Sequence, residues 1–437
     1  MDAASNISRY AERRRVLQQR MGKGVAVIPT APERFRSRDS DYPYRFDSYF
    51  YYLTGFAEPD AILVVIAGDE PRSILFCRER NPERELWDGI RRGPEGAKTE
   101  LGLDEAYPVG ALDEQMPKLL SNQRALFYSP GADAAWDARV LGWLNQVRAQ
   151  ARAGVSAPAD IRDVRAVLDE MRLAKDDTEL AVMRRAAAIS AAAHERAMRA
   201  TRPGRNEYEI EAELLYEFRR RGAQFPAYWP IVAGGANACI LHYRDNNARL
   251  AEGELLLIDA GCELDGYASD LTRTFPVNGK FSGPQREIYE LVLAAQKAAI
   301  AAVKPGSRWD EPHNAALRAL AQGFIELGLC QGPLEKVIET EDYRRYYMHR
   351  TGHWLGLDVH DVGEYKTSGD WRRLEPGMTL TVEPGCYIRP ADNVPTRFWN
   401  IGVRIEDDVA VTPSGCEVLT AAAPKSAREI ESLVGRG

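Results

Sequence analysis

The apolar positions of the first third of the chain fall into short continuous runs. Residues 24–29 (GVAVIP), 61–67 (AILVVIA) and 73–77 (SILFC) each read as a buried strand. Residues 8–21 are helix-like, and the aromatic-rich stretch 47–56 (DSYFYYLTGF) is broken by Gly55. Strands interleaved with helices predict an α/β layer. The patch 155–160 (VSAPAD) reads as a linker. Beyond it, Asp176 with Glu179 three residues on forms a capping-box pattern. The helix it opens runs through the alanine-rich stretch 180–200 and stops before Pro203-Gly204. These signals place the domain boundary near residue 172 and give domains 1–172 and 173–437.

The second domain changes character. Helical blocks at 206–222, 284–303 and 311–327 alternate with strand-like runs at 255–259, 267–275, 379–383 and 402–411. No fixed-period repeat is visible. The run LLLIDAGCELDGYASDLTRTF carries a hairpin signal at Asp265-Gly266. With that turn Asp259 faces Thr272 and Asp270 faces Gly261; with a longer 263–266 loop the two aspartates face each other. Side chains alternate along a strand, so both registers put Asp259 and Asp270 on one face. Two carboxylates about 4 Å apart repel by roughly 4 kcal/mol at an effective dielectric near 20. A proton, an arginine or a metal must offset that. The pair alone leaves two readings equally open: a turn cap with a solvated partner, or a metal pair.

Three of the six histidines, His349, His353 and His360, lie within twelve residues in MHRTGHWLGLDVHDVG. Together they favour a site over packed histidines. Gly352 and Gly356 argue against a regular helix there. In LTVEPGCYI, Glu383 ends an apolar strand just before Pro384-Gly385, where pairing stops and a carboxylate can project into a cleft. In NIGVRIEDDVAVT, alternation puts Arg404 and Glu406 on one face with Val403 and Ile405 on the other. It leaves Asp407 and Asp408 as solvated charges. Asp259, Asp270, Glu383 and Glu406 with a neutral His353 would sum to −4, which two divalent cations balance. Oxygen-rich ligation with one nitrogen favours a harder ion such as Mn²⁺ or Co²⁺ over a thiolate-seeking one.

Composition narrows the function. The 437 residues are 45% hydrophobic and 28% charged, ordinary globular values that exclude wholesale disorder. Basic residues number 57 against 64 acidic, and a net charge of −7 argues against general nucleic-acid binding. The triplets Arg13-Arg14-Arg15 and Arg219-Arg220-Arg221 read as solvated helix faces. The longest apolar run, 61–67, is too short to cross a bilayer. The six cysteines are scattered without a C-x-x-C pair, and MDAASNISRYAERRR carries no apolar leader. The expectation is free thiols, no cysteine-held zinc and a cytoplasmic location.

These motifs resemble aminopeptidase P, in the metallopeptidase family that also includes prolidase and methionine aminopeptidase. The resemblance rests on SDYPYRFDSYFYYLTGFAEPDA in the first domain. In the second it rests on ACILHY, IDAGCELDGYASDLTRTFPVNGKF, HRTGHWLGLDVHDVG, LEPGMTLTVEPGCYI and GVRIEDDV. It implies an N-terminal α/β domain followed by an α+β "pita-bread" catalytic domain, a curved antiparallel sheet wrapped by helices. It implies that Asp259 holds a first metal, that Asp270 and Glu406 bridge, and that His353 and Glu383 hold the second.

The outer residues follow from the same resemblance. His242 in ILHY and His360 correspond to histidines that hold substrate carbonyls, and His349 to a histidine lining the pocket. Arg404 corresponds to an arginine supporting the metal carboxylates, and Trp87 and Asp39 to a rim supplied by a neighbouring subunit. His194 and His313 match nothing in the family and read as helix residues. The implied activity is release of the residue before a proline in second position, by a hydroxide bridging two divalent metals. Mn²⁺ is the first expectation for the metal, with Co²⁺ or Zn²⁺ as options. Peptides are the implied partners, no nucleic acid or membrane is expected, and the implied assembly is a homo-oligomer. Two alternatives remain: a prolidase restricted to X-Pro dipeptides, and a non-catalytic pita-bread binding protein. The YPYRFDSYFYYLTGF segment favours aminopeptidase P, and the full ligand set argues against the binding protein.

Overall fold

The continuous apolar runs become strands covered on both faces. The computed structural model describes residues 3–436 and divides into two compact units, Met1–Met171 and Arg172–Gly437. The first unit holds β1 (Gly24–Pro29), β2 (Ile62–Ala67), β3 (Arg72–Cys77), β4 (Glu105–Pro108), β5 (Ala125–Tyr128) and β6 (Asp160–Asp163). They form one sheet in the order β4-β3-β2-β1-β5-β6. The β1–β2 and β2–β3 pairs are antiparallel and the rest parallel. Val25, Val64, Phe76 and Leu126 of the sheet pack with Met116 and Trp143 of the covering helices Leu112–Leu120 and Ala134–Arg148. The aromatic stretch is a helix, Ser48–Thr54, capped by Asp47 and closed by Gly55 at φ 64°.

The first arginine triplet departs from expectation. Arg13 and Arg14 are buried. Arg14 donates to the carbonyls of Leu53, Leu101 and Gly102 at 2.8–3.0 Å. Those carbonyls end the helices Ser48–Thr54 and Gly93–Leu101 and have no partner within them. A guanidinium is the donor that satisfies several at once. Arg219, Arg220 and Arg221 are exposed, as read.

The second unit opens with the helix Asp177–Ala200, whose capping box joins Asp176 and Glu179 in both directions. The helices Glu207–Arg220, Gly283–Ala302 and Asp310–Glu326 follow. The sheets are short and antiparallel. Ile231–Gly234, Leu255–Asp259 and Thr272–Pro276 form one. Its register pairs Asp259 with Thr272, and Glu263 pairs with Ala268 farther along the same hairpin. The turn is therefore Asp265-Gly266, with φ of 50° and 82°, as a two-residue primed turn requires. The longer loop is excluded.

Two long strands expected from the sequence are each broken. Tyr267–Ala268 and Thr272–Pro276 are separated by Ser269–Asp270–Leu271. Ile401–Arg404 pairs with Gly385–Ile388, whereas Asp407–Thr412 pairs with Thr379–Val382 and Gly415–Val418. Asp407 and Asp408 are buried, not solvated. Asp407 accepts from Arg273, Thr420, Gln296 and Lys425. Alternation misled here because the strand is covered on both faces.

Gly261 marks the closest backbone approach in the hairpin: a Cβ there would lie 1.7 Å from the Ser269 carbonyl oxygen. Gly261→Ala is expected to destabilise the protein by about 1–3 kcal/mol, read as a lower urea midpoint. Gly283→Ala, with nothing within 4 Å of the added methyl, is expected not to lower it.

Candidate metal centre

Strand ends and breaks position the acidic groups. Asp259 ends Leu255–Asp259, and Asp270 sits in the break before Thr272. Glu383 follows Thr379–Val382, and Glu406 sits where the chain changes sheet between Arg404 and Asp407. His353 lies in an irregular segment stitched to the strand beside it. Thr381 N donates to His353 O at 3.0 Å, and Glu383 N donates to Thr351 O at 2.8 Å. His353 N in turn donates to Thr381 Oγ1 at 3.1 Å. A methyl on Gly352 would meet the Thr381 carbonyl at 2.0 Å, so that close approach requires glycine.

The five groups converge. One ligand atom each from Asp270, His353 and Glu406 lies within 4.8 Å of the other two. His353 Nε2 is 3.3 Å from Asp270 Oδ2 and 3.7 Å from Glu383 Oε1. His353 Nδ1 is 2.9 Å from the Trp354 carbonyl oxygen. A proton held there leaves the Nε2 lone pair to face the carboxylates, as a metal-binding imidazole requires. Asp259 accepts from Arg404 at 2.5 Å. All five line one cavity of about 570 Å³, together with His242, His349, His360 and Arg404.

Burial dominates the electrostatics, and the crowding of like charges adds to it. Burial, with Asp270 and Asp259 adding, pushes the Glu383 carboxyl up to about 7. Burial and the three neighbouring carboxylates push Glu406 well above the carboxylate range. Asp259 is raised by burial against the pull of Arg404. Asp270 is the exception: burial opposes it, but the His353 hydrogen bond and charge hold it below its ordinary value. Burial would lower His353, yet Asp270 and Glu383 raise it to about 9. A donor set of four carboxylates and one imidazole that cannot all be charged together fits divalent cations and contains no thiolate.

The outer residues take distinct positions. His349 Nε2 is 2.9 Å from the Tyr387 hydroxyl, and Arg404 Nη1 donates to that hydroxyl at 3.0 Å. Burial and Arg404 lower the His349 imidazole to about 3. The His353 and His360 rings meet edge to face at 4.3 Å. Trp87 and Asp39 belong to the first unit, where both are exposed, Trp87 to 85%.

Four contacts around the site escaped sequence reasoning, although His194 and His313 are helix residues as read. The Tyr228 hydroxyl lies 2.6 Å from one oxygen of each of Asp259 and Asp270. Asp408 accepts from the Asp270 amide at 3.1 Å and from Ser269 Oγ at 2.9 Å. His194, read as a plain helix residue, is wholly buried with Nε2 2.9 Å from the Ala260 carbonyl. His313 lies 2.8 Å from Thr351 Oγ1, behind Glu383. No local pattern marks them, because each contact crosses from another element.

Known proteins match nearly the whole chain. Residues 10–128 match the aminopeptidase P N-terminal domain, and residues 181–413 match metallopeptidase family M24. The Xaa-Pro aminopeptidase of Escherichia coli is 45% identical over 435 residues, covering 98% of each chain. The structure of Pseudomonas aeruginosa aminopeptidase PepP superposes with a TM-score of 0.96 at 51% identity, over 98% of this chain and 97% of that one. Proline aminopeptidase P II from Yersinia pestis gives 0.95 at 47%, over 98% and 99%. The short antiparallel sheets and their helices are the pita-bread architecture of these neighbours. The chain belongs to metallopeptidase family M24, with the N-terminal domain of its aminopeptidase P members.

Proposed function

We propose that this chain releases the N-terminal residue from peptides whose second residue is proline. In this reading Asp259, Asp270, His353, Glu383 and Glu406 hold two divalent cations, Mn²⁺ before Co²⁺ or Zn²⁺. The observation that carries it is the convergence of those five groups with three further histidines on one cavity. The substrate class is supported by the Escherichia coli relative named for Xaa-Pro cleavage. When bound, the cations supply Lewis acidity and a water whose pKa falls toward neutrality.

The protein's own groups do the rest. An X-Pro bond is a tertiary amide, and its nitrogen, like any amide nitrogen, must gain a proton to leave as an amine. Glu383 takes the proton of the attacking water and delivers it to that nitrogen. His242 and His360 hold the substrate carbonyls, and one of the two donates to the attacked oxygen as negative charge develops there. His349, held by Tyr387, lines the pocket, and Arg404 steadies the Asp259 carboxylate. Asp39 and Trp87 complete the rim of a neighbouring copy in a homo-oligomer. The six free cysteines support a cytoplasmic setting.

Asp270→Ala and Glu383→Ala are each expected to lower kcat at least about a hundredfold at verified metal loading; full activity in either rejects the mechanism. Ala-Pro-Ala-Ala is expected to be cleaved in a panel run with Mn²⁺, Co²⁺ and Zn²⁺. Cleavage of Ala-Pro alone would instead assign a prolidase.

Metal uptake is coupled to protons. In the metal-free protein His353, raised to about 9, carries a proton at pH 7.5, and Glu383, at about 7, retains one in part. Ligation needs these two and Glu406, itself pushed well above the carboxylate range, deprotonated, so binding releases protons and apparent affinity rises with pH. Calorimetry of Mn²⁺ binding at pH 7.5, in buffers of different ionisation enthalpy, is expected to show release of about one proton or more per chain. Zero release contradicts this.

A further inference from the structure

His242 sits on the segment between the strands Ile231–Gly234 and Leu255–Asp259, which holds only one short 3₁₀ turn, Gly235–Cys239. A side chain that must meet a developing charge needs a rigid support. The support visible here is Glu207, the first residue of the helix Glu207–Arg220. Glu207 is fully buried at 0% exposure. Among the described residues no Lys or Arg forms an ion pair with it.

Four neutral donors surround it instead. Oε1 accepts from Gly234 N at 2.7 Å and Asn237 Nδ2 at 3.0 Å. Oε2 accepts from the Tyr243 hydroxyl at 2.8 Å and Ala248 N at 2.8 Å. These donors run from Gly234 to Ala248, on both sides of His242, and Tyr243 is its neighbour. Asn246 pins the same segment by accepting from Val232 N and donating to the Pro230 carbonyl.

We propose that Glu207 is a positioning residue for His242: its carboxylate clamps the segment 234–248 and so sets where the imidazole reaches the substrate carbonyl. The inference rests on the reading of His242 given above. A carboxylate is specifically required, because each oxygen receives two donors. Glutamine has the same size, but its amide nitrogen accepts nothing. One flip sets that nitrogen against Gly234 N–H and Asn237; the other sets it against Tyr243 and Ala248 N–H. Either way buried donors lose their acceptor.

The test uses the full-length Mn²⁺-loaded protein and Ala-Pro-Ala-Ala. Glu207→Gln is expected to lower kcat/KM at least about tenfold with bound metal unchanged. In a His242→Ala background the same change is expected to add less than about twofold. Imidazole NMR of the protein loaded with diamagnetic Zn²⁺, with six histidines to assign, is expected to show the His242 signals moved by Glu207→Gln and those of His194 unmoved. Equal losses in the two backgrounds, or an unchanged kcat/KM, overturn the proposal. So does an unmoved His242 signal, whatever the activity of His242→Ala. Full activity of His242→Ala overturns its role as a donor, while a moved signal in Glu207→Gln still supports the clamp. If Glu207→Gln fails to fold, Tyr243→Phe removes one donor and is expected to lower kcat/KM about two- to fivefold. It must show the same loss of effect without His242, and additivity there overturns the proposal.

Discussion

Like charge confined in a buried cavity is the constraint on which the rest of the catalytic unit depends. Asp259, Asp270, Glu383 and Glu406 each sit in the field of the others, and Asp408 adds a fifth carboxylate behind Asp270. Two positive groups of the protein reach the set directly, Arg404 at Asp259 and His353 at Asp270. They do not balance it. Burial first, and the surplus charge with it, raises the pKa values of Glu383, Glu406 and Asp259, so that protons carry the surplus in the metal-free protein. Cations remove the need for those protons. An arrangement so costly without cations is poor evidence for stability and good evidence for ligation.

The backbone delivers these groups by breaking its own regularity. Asp270 and Glu406 lie where a strand lets go of one partner before taking up the next. There the side chain is no longer bound to the alternating pleat. The layer behind is tightly satisfied. Thr272 donates to Glu406 at 2.6 Å and accepts from Arg404 at 3.2 Å. Arg273 holds the Glu406 carbonyl and Asp407 from the opposite side. Each ligand candidate is thus flanked by buried polar contacts that set its direction before any ion arrives, the preorganisation a hydrolytic centre needs.

Much of this was legible because it is written in short-range chemistry. The Asp265-Gly266 turn sets the hairpin register, which pairs Asp259 with Thr272 and so brings Asp270, two residues earlier in the break, close enough for one Tyr228 hydroxyl to meet both carboxylates. The Asp176–Glu179 box marks a helix start, and Asp47 with Gly55 could have marked another. What escaped was long-range. Arg14 is buried because two helices end beside it, which no window along the chain contains. Asp407 and Asp408 were misread because alternation assumes a wet face, and this strand has none. Tyr228, His194 and Glu207 contact the site segments across elements far apart in sequence. Their residue types carry no periodic signal.

On the proposed reading, four carboxylates and an imidazole cage a pair of divalent ions. Elemental analysis of the purified protein after Mn²⁺ loading and removal of free metal addresses it most directly. Two equivalents per chain are expected, falling to one or fewer when Asp270 is replaced by alanine. A stoichiometry near zero, or one that Asp270→Ala leaves unchanged, would contradict it.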